Sequence, residues 1–190
     1  MSTQRSYKTL DAGTAVNFIP LQVDEGRLEA RGESAVLVLE KEAQGPTISG
    51  VELVQAQTFI NERRVLVVSY NSTEPPGTLG YTVVVRPGYS VGDHYHHRRE
   101  ERILVLHGRA QFRLLDERPD SQTFGVLNVF TIDYPGSCVR VPTGVAHAIL
   151  ADGAVTVLQV LASTDYDPGD DVHLTLSTLK LERSAQDSAA

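Results

Sequence analysis

The sequence predicts an all-β fold of the sandwich or barrel kind, and three observations support this. Short runs rich in Val, Ile, Leu, Phe and Tyr recur along the chain, and residues typical of turns separate most of them. No segment keeps the apolar period of a helix over any useful length. Many short strands at regular spacing are typical of sandwiches and barrels.

The predicted strands follow one another over most of the chain. In order, they are Ala35–Leu39, Val51–Phe59, Val65–Tyr70, Leu79–Arg86, Arg102–His107, Ala110–Leu115, Phe124–Phe130, Cys138–Val141, His147–Leu150, Ala154–Leu161 and a further strand at His173–Leu181. The turn signals between them are Pro75-Pro76-Gly77, Pro87-Gly88, Gly92-Asp93, Pro135-Gly136 and Asp152-Gly153. Glu25–Glu33 comes nearest to a helical pattern, but it is polar and interrupted by glycine, so we assign it no element.

Length and composition indicate one globular domain. The chain has 190 residues, 41% of them apolar and 22% charged, which is enough to bury a sizeable core. We assign residues 1–183 to a single domain with added strands at its N-terminal side. Residues 184–190 are small and polar, and we expect this tail to fray.

Charge and apolar runs exclude several classes of function. The formal net charge is −7 and the pI is 5.3, which argues against nucleic-acid binding because that needs a basic surface. The best apolar run, Val65–Val68, has the length of a strand, so no membrane span is predicted. Residues 1–10 lack the apolar core of a signal peptide. The single Cys138 cannot form an internal disulfide, and a cytoplasmic location is predicted.

The predicted strand Arg102–His107 bears on assembly. Ile103 and Val105 lie on one face of it and Leu104 and Leu106 on the other, so both faces are largely apolar. A strand of this type is covered on both sides. The cover could come from the first 60 residues or from a second subunit. Because closed dimers are the commonest oligomers, a homodimer is predicted.

Three histidines and a glutamate indicate a metal site. His94 and His96 follow a glycine-containing turn, and residues two apart in an extended segment point to the same side. Glu101 lies five residues after His96, and His147 follows a second turn further along the chain. Three imidazole nitrogens and one carboxylate oxygen suit a divalent transition metal, and zinc, nickel, iron and manganese are all compatible with them.

The spacing of these residues resembles the two motifs of the cupin superfamily. Gly88 to Gly108 reads Gly, five residues, His, one residue, His, four residues, Glu, six residues, Gly. Gly136 to Ala151 reads Gly, five residues, Pro, one residue, Gly, two residues, His, three residues, Ala, where the family usually ends on Asn. The resemblance implies a double-stranded β-helix, or jelly roll, with a metal inside the barrel. The implied metal ligands are His94, His96, Glu101 and His147.

A second resemblance is to the dTDP-4-dehydrorhamnose 3,5-epimerase family. Its Asp-x-Arg-x-x-Ser-x-Thr-Phe-Gly stretch is matched by Asp116–Gly125, and its C-terminal Ser-x-x-Tyr-x-Pro signature by Ser163–Pro168. Its opening strands resemble Ile48–Val51 and Phe59–Arg63. In that family the arginine that corresponds to Arg63 helps to hold the nucleotide diphosphate, so the resemblance implies a nucleotide-sugar substrate.

This chain departs from those epimerases at their catalytic groups. It has Glu101 where they place a lysine and Gln159 where they place a tyrosine, and they usually carry no metal. A third resemblance accounts for the glutamate. Arg86–Val105 is similar to the metal-binding cupin domain at the C-terminus of bifunctional capsular-polysaccharide enzymes, where a His-Tyr-His-His stretch and a following Glu bind zinc. That domain epimerises a 4-keto nucleotide sugar at C3, which favours zinc and the same chemistry here.

Epimerisation next to a ketone needs a base, an acid and stabilisation of the enolate oxygen, for which a divalent cation is suitable. His97, beside the implied ligands, is the candidate base. The candidate acids are Tyr134, Tyr166 and Tyr81. The arginines that could bind a diphosphate are Arg63, Arg98, Arg99 and Arg113.

Two other functions are compatible with the same residues. An iron- or nickel-dependent cupin dioxygenase uses an equivalent set of three histidines and one glutamate, but it has no need of the epimerase-like stretches. A non-catalytic, ligand-binding cupin keeps the barrel without acid–base groups, and the loss of the family's lysine and tyrosine favours it. We predict the sugar-nucleotide epimerase or isomerase.

Overall fold

The computed structural model describes residues 6–7, 16–17, 21–32, 34–70 and 77–184. The predicted frayed tail lies outside these residues, except for Ser184. The described chain forms β-strands and a 3₁₀ turn at Pro168–Asp170, without an α-helix. The strands are β1 (Ser6–Tyr7), β2 (Val16–Asn17), β3 (Val23–Arg31), β4 (Ser34–Ala43), β5 (Glu52–Gln55), β6 (Thr58–Asn61), β7 (Arg64–Val67), β8 (Leu79–Val85), β9 (Ser90–His96), β10 (Glu101–His107), β11 (Ala110–Asp116), β12 (Val126–Ile132), β13 (Ser137–Val141), β14 (Val145–Ala151), β15 (Thr156–Ala162), β16 (Asp171–His173) and β17 (Lys180–Arg183).

Most of the strands belong to two sheets. The five-stranded sheet has the order β5-β13-β10-β15-β8, and the eight-stranded sheet has the order β16-β9-β14-β11-β12-β3-β4-β17. Neighbours are antiparallel, except that β17 runs parallel to β4 at one edge. The pairs β1–β2 and β6–β7 form separate two-stranded antiparallel sheets. The predicted all-β architecture is therefore confirmed. In the described part of the chain, no helix is long and apolar enough to cross a bilayer.

The main core lies between the two sheets. Alternate residues of each strand point inward, so Ile103 and Leu158 of the five-stranded sheet meet Phe112 and Ile149 of the eight-stranded sheet in one buried cluster. The rings of Phe112 and Phe130 stack at 5.4 Å within it. Full burial of each such side chain contributes about 1.5–3 kcal/mol to stability. Packing of the sheets against each other fixes the strands that carry the candidate site.

A second apolar cluster covers the outer face of the eight-stranded sheet. Leu37, Leu115 and Leu127 are buried there beneath the C-terminal segment, which contributes Leu176. We call residues 163–179 the strap. It leaves the end of β15, makes the 3₁₀ turn, pairs with β9 through β16 and crosses this face.

Two charged side chains hold the strap on the sheet. The Nη1 atom of Arg113 donates to the carbonyls of Leu176, Ser177 and Leu179 at 2.8, 3.1 and 2.9 Å. The Oδ1 atom of Asp93 accepts from the amides of Leu176 and Ser177 at 2.7 and 2.8 Å. Asp93 has a φ of +62°, a conformation that Asp tolerates better than most residues.

A buried carboxylate orders the loop that follows β11. Asp116 is fully buried and accepts from the backbone amide and guanidinium of Arg118 and from the hydroxyls of Ser121 and Thr123. Burial alone would raise the pKa of Asp116, but these donors outweigh it and lower the pKa to about 2. Arg118 also donates to the Ser49 carbonyl at 2.7 Å. The epimerase-like stretch thus has a structural use in this chain.

Four predictions differ from the structure, and the first is the turn predicted at Gly92-Asp93, which lies inside β9. Val51–Phe59 is divided into β5 and β6, and His173–Leu181 is divided into β16 and β17 because the bonds to Asp93 and Arg113 turn the strap between them. The segment left unassigned at Glu25–Glu33 lies largely in β3, which pairs with β12 and β4. Its exposed polar residues hide the strand pattern.

Candidate metal centre

Three histidine side chains converge inside the barrel. His94 and His96 lie on β9 and His147 lies on the adjacent β14, where it is the register partner of His94. One nitrogen from each ring lies within 4.8 Å of the others. We call these three residues the histidine cluster. The predicted convergence of the three imidazoles is therefore observed.

Glu101 adjoins the cluster from the opposite sheet. It begins β10, and its Oε1 and Oε2 atoms lie 3.5 Å from His96 Nε2 and 3.4 Å from His147 Nε2. Tyr81 of β8 donates its hydroxyl to Glu101 Oε1 at 3.1 Å. The carboxylate is 2% exposed, and its contacts fix its orientation. The site thus combines imidazoles from one sheet with a carboxylate from the other.

The environment sets the charge of these groups. Burial, with the charges of His147 and His96, lowers the pKa of His94 to about 4, and burial also lowers the pKa of His147. Burial alone would raise the pKa of Glu101, but the neighbouring histidines and the Tyr81 hydroxyl outweigh it and lower the pKa to about 2. His94 and His147 are therefore neutral and Glu101 is ionised near pH 7.

Gly92 allows β9 to approach β14 at the cluster. Its φ is +90°, and a Cβ atom at this position would lie 2.6 Å from the His147 carbonyl oxygen. The β9–β14 register also shifts between His147 and Ala148. A residue without a side chain is therefore required for the observed approach of the two ligand-bearing strands.

The loop between His96 and Glu101 is fixed by the strap. Asp170, 2% exposed, accepts from the backbone amides of Arg98 and Arg99 at 2.9 and 3.1 Å. Glu100 and Ser163 exchange two further hydrogen bonds, each of 2.9 Å. Asp171, the next residue of the strap, places Oδ1 2.9 Å from His96 Nδ1. Sequence reasoning missed Asp170 and Asp171, although Asp171 follows the Ser163–Pro168 signature by three residues.

The predicted acid–base residues do not all reach the cluster. His97 is exposed and its ring packs against Tyr95 at 5.3 Å. Tyr134 precedes β13 near Ser137, whereas Glu101 pairs with the other end of that strand. Tyr166 is 67% exposed and lies over the Arg99 guanidinium at 5.7 Å. Of the four candidates, Tyr81 has the described contact with Glu101.

The predicted substrate-binding arginines are also dispersed. Arg63 is exposed in the turn of the β6–β7 hairpin. Arg98 pairs with Asp167 and Asp170 at the surface. Arg113 is 7% exposed beneath the strap, on the face opposite the histidine cluster. Its donors already bond to carbonyls, so its position indicates a structural role.

The histidine cluster fits a divalent metal by its donor set and by its unpaired atoms. Neither ring nitrogen of His96 makes a regular hydrogen bond to any described residue, although the ring is buried. Neutral imidazoles and an ionised carboxylate are the forms that coordinate zinc and similar ions. A separate cavity of about 280 Å³ lies on the outer face of the five-stranded sheet beside Leu104 and Cys138. The cluster is the better candidate because shifted pKa values converge there.

Solved structures share this architecture. A dTDP sugar isomerase from Desulfovibrio desulfuricans is 18% identical, with a TM-score of 0.63 over 69% of this chain and 87% of that chain. A dTDP-4-dehydrorhamnose 3,5-epimerase from Bacillus anthracis, with TDP and PPi bound, is 17% identical, with a TM-score of 0.61 over 76% and 95% of the two chains. The sugar 3,4-ketoisomerase QdtA from Thermoanaerobacterium thermosaccharolyticum, in complex with TDP, is 20% identical, with a TM-score of 0.54 over 65% and 88%. These likenesses confirm the predicted cupin jelly roll.

Sequence comparison gives the family. No curated protein matches the chain at a significant level. A family model does match residues 62–171, which is more than half of the 190 residues and includes the histidine cluster, Glu101 and Tyr81. The chain therefore belongs to the polysaccharide biosynthesis C-terminal domain family.

Proposed function

We propose that this protein binds one divalent transition metal, with zinc favoured, and isomerises a nucleotide-linked 4-keto sugar by C3 epimerisation or ketoisomerisation. The observation that carries the proposal is the convergence of three buried imidazoles in the barrel, with the Glu101 carboxylate 3.5 and 3.4 Å from two of them. The proposed ligands are His94, His96, Glu101 and His147.

The chemistry assigns separate tasks to the ion and to the chain. A bound divalent cation would stabilise negative charge on oxygen as a Lewis acid. The side chains must remove the proton next to the ketone and return one from the opposite face. Tyr81 is the proposed acid because its hydroxyl already lies beside Glu101 and remains protonated, its pKa being raised first by burial and then by that carboxylate.

Two observations support a nucleotide sugar as substrate. The family takes its name from polysaccharide biosynthesis. Solved proteins of the same fold act on dTDP-linked sugars or hold TDP. Arg63, in the β6–β7 turn, remains the proposed diphosphate contact by resemblance to the epimerases. Its guanidinium could form paired hydrogen bonds with phosphate oxygens.

Metal content is the first test. Protein purified without chelators or a histidine tag should contain about one transition metal per chain by inductively coupled plasma mass spectrometry, and zinc is expected. His96→Ala should lose most of this metal, since a ligand is removed. His107→Ala is the matched control, because His107 is exposed at the end of β10 and should leave the content unchanged. Full occupancy in His96→Ala would contradict the ligand assignment.

Proton exchange tests the reaction. A dTDP-linked 4-keto sugar incubated with the enzyme in D₂O should gain deuterium at C3. Nuclear magnetic resonance measures this incorporation. Absence of exchange with the metal-loaded protein would contradict the proposed chemistry. Iron or nickel in the purified protein, together with oxygen uptake, would support the dioxygenase alternative instead.

We also propose that the protein is a cytoplasmic homodimer. The outer face of the five-stranded sheet supports the dimer, because Val54 and Val84 are 50% and 63% exposed on the same face as Leu104. Apolar side chains on a sheet face favour burial by a partner. Light scattering on a sizing column should give twice the 20.7 kDa chain mass, and a monomer would contradict the proposal.

A further inference from the structure

We infer that Asp171 is a positioning residue, whose carboxylate holds the Nδ1 side of His96 so that Nε2 faces the metal centre as an unprotonated donor. The inference rests on the proposed metal function and deepens it. It concerns a residue outside both cupin-like motifs.

The His96 ring lies between two carboxylates. Nδ1 lies 2.9 Å from Asp171 Oδ1, and Nε2 lies 3.5 Å from Glu101 Oε1. His96 is 3% exposed and the Asp171 side chain 15% exposed, so water has little access to the contact. The N–H direction is off the line of a regular hydrogen bond, and neither Nδ1 nor Oδ1 has another such bond in the described structure. The 2.9 Å separation is thus a close contact between the two atoms without the geometry of a hydrogen bond.

The backbone places Asp171 beside His96 directly. β16 pairs with β9 at the edge of the eight-stranded sheet, and Asp171 is the register partner of His96. The preceding residue, Asp170, bonds to the amides of Arg98 and Arg99 and thereby fixes the start of β16. Asp170 Oδ2 is 3.9 Å from His96 Nδ1, a longer contact than that of Asp171, and it already accepts from Arg99.

A buried cation lies beside the Asp171 carboxylate. The Nη1 atom of Arg99 lies 4.0 Å from Asp171 Oδ1, and Arg99 is 3% exposed. The guanidinium also donates from Nη2 to the Asp165 carbonyl at 3.1 Å, and the Tyr166 ring lies over it at 5.7 Å, so Arg99 is held in place. Asp171 therefore meets an imidazole on one side and a buried cation on the other.

The chemical consequence follows from imidazole itself. A neutral imidazole carries its hydrogen on one nitrogen, and the negative charge of a carboxylate beside Nδ1 favours the Nδ1–H form. The Nε2 lone pair is then available, and the basicity of the ligand increases. Loss of such an outer partner typically weakens metal binding about 10- to 100-fold.

The first measurement needs no metal. Long-range ¹H–¹⁵N spectra of the metal-free protein should show His96 in the Nδ1–H form, and Asp171→Ala should reduce that form. The second measurement is zinc affinity by chelator competition, where Asp171→Ala should bind about 10- to 100-fold more weakly. Asp171→Glu, which restores a carboxylate, should recover part of the loss. Asp167→Ala is the matched control from the same strap, since Asp167 pairs with Arg98 and not with His96.

The outcomes separate this inference from the proposed metal function. Wild-type protein that binds zinc normally while Asp171→Ala binds it equally well would overturn the inference alone. An Nε2–H form of His96 in the metal-free wild type would also overturn it, even if the variant failed to fold. Wild-type protein that takes up no zinc would overturn the metal centre, and this inference with it.

Discussion

At the scale of single residues, Tyr81 gives the most direct test of the proposed chemistry. Tyr81→Phe removes the hydroxyl that contacts Glu101 and leaves the ring, so the turnover of the metal-saturated enzyme should fall about 100-fold or more. The measurement is the rate of deuterium incorporation at C3. Tyr89→Phe is the control, because Tyr89 is 68% exposed in a turn. Unchanged turnover in Tyr81→Phe would exclude Tyr81 as the acid.

Asp116 gives a residue-scale test of stability. Asp116→Ala leaves the Arg118 guanidinium and two hydroxyls without their shared buried acceptor, so the free energy of unfolding should fall by about 3 kcal/mol. Denaturant unfolding measures this change. Asp120→Ala lies in the same loop but at the surface, and it should change stability by less than about 0.5 kcal/mol. Equal effects of the two variants would argue against the network.

The convergence of the histidine cluster was predicted partly from local spacing and partly from the resemblance to the cupin motifs, which implies that His147 joins His94 and His96. His94 and His96 lie two apart on one extended stretch, and His147 follows a turn of recognisable spacing. Asp171 and Tyr81 could not be placed in this way. Their contacts depend on which strands become neighbours. β16 lies beside β9, and β15 lies between β8 and β10. The spacing of residues along the chain does not predict these pairings.

At the scale of elements, the strap can be tested through Arg113. Arg113→Met keeps an unbranched apolar side chain but leaves the carbonyls of Leu176, Ser177 and Leu179 without their donor. Each lost bond to a charged donor is worth about 1.5–3 kcal/mol, so residues 174–181 should open locally. Hydrogen exchange should show faster exchange there and little change in β11.

The control is Arg109→Met, because Arg109 forms an exposed surface pair with Asp152. It should leave exchange in the strap unaltered. Faster exchange in Arg113→Met spread evenly over both sheets would indicate global destabilisation and would contradict a local role for Arg113.

Strand prediction succeeded where apolar residues are frequent and failed in β3, where they are few. Thr156–Ala162 alternates between buried and half-buried positions along its whole length, and the sequence pattern identified it. In β3 only Val23 and Gly26 are buried, and the other residues are half-buried or exposed and mostly charged. That strand exists because β4 and β12 supply backbone partners on both sides, a fact of tertiary pairing rather than of local sequence.

At the scale of the whole molecule, the ionisable groups predict acid lability of the metal-free protein. The pKa of His94 is lowered from 6.5 to about 4, so between these values the unfolded chain binds a proton that the folded chain does not. The free energy of unfolding should therefore fall as pH decreases from about 6.5 to about 4. His147, whose pKa is also lowered, acts in the same direction.

The carboxylates extend this trend to lower pH. Glu101 and Asp116 have pKa values lowered to about 2, so the stability they contribute above pH 4.5 is lost as pH falls toward 2. Urea unfolding at pH 7, 6, 5 and 4 measures the imidazole window. A constant free energy of unfolding across that window would contradict the neutral, buried state of the histidines.

The division of the candidate site between the two sheets has a mechanical consequence. The imidazoles belong to one sheet and the Glu101 carboxylate to the other. The distance between them therefore depends on the spacing between the two sheets. That spacing is set by the apolar side chains packed between the sheets, among them Phe112 and Ile103. A substitution that changes the packing between the sheets should therefore also change the distance between the imidazoles and the carboxylate.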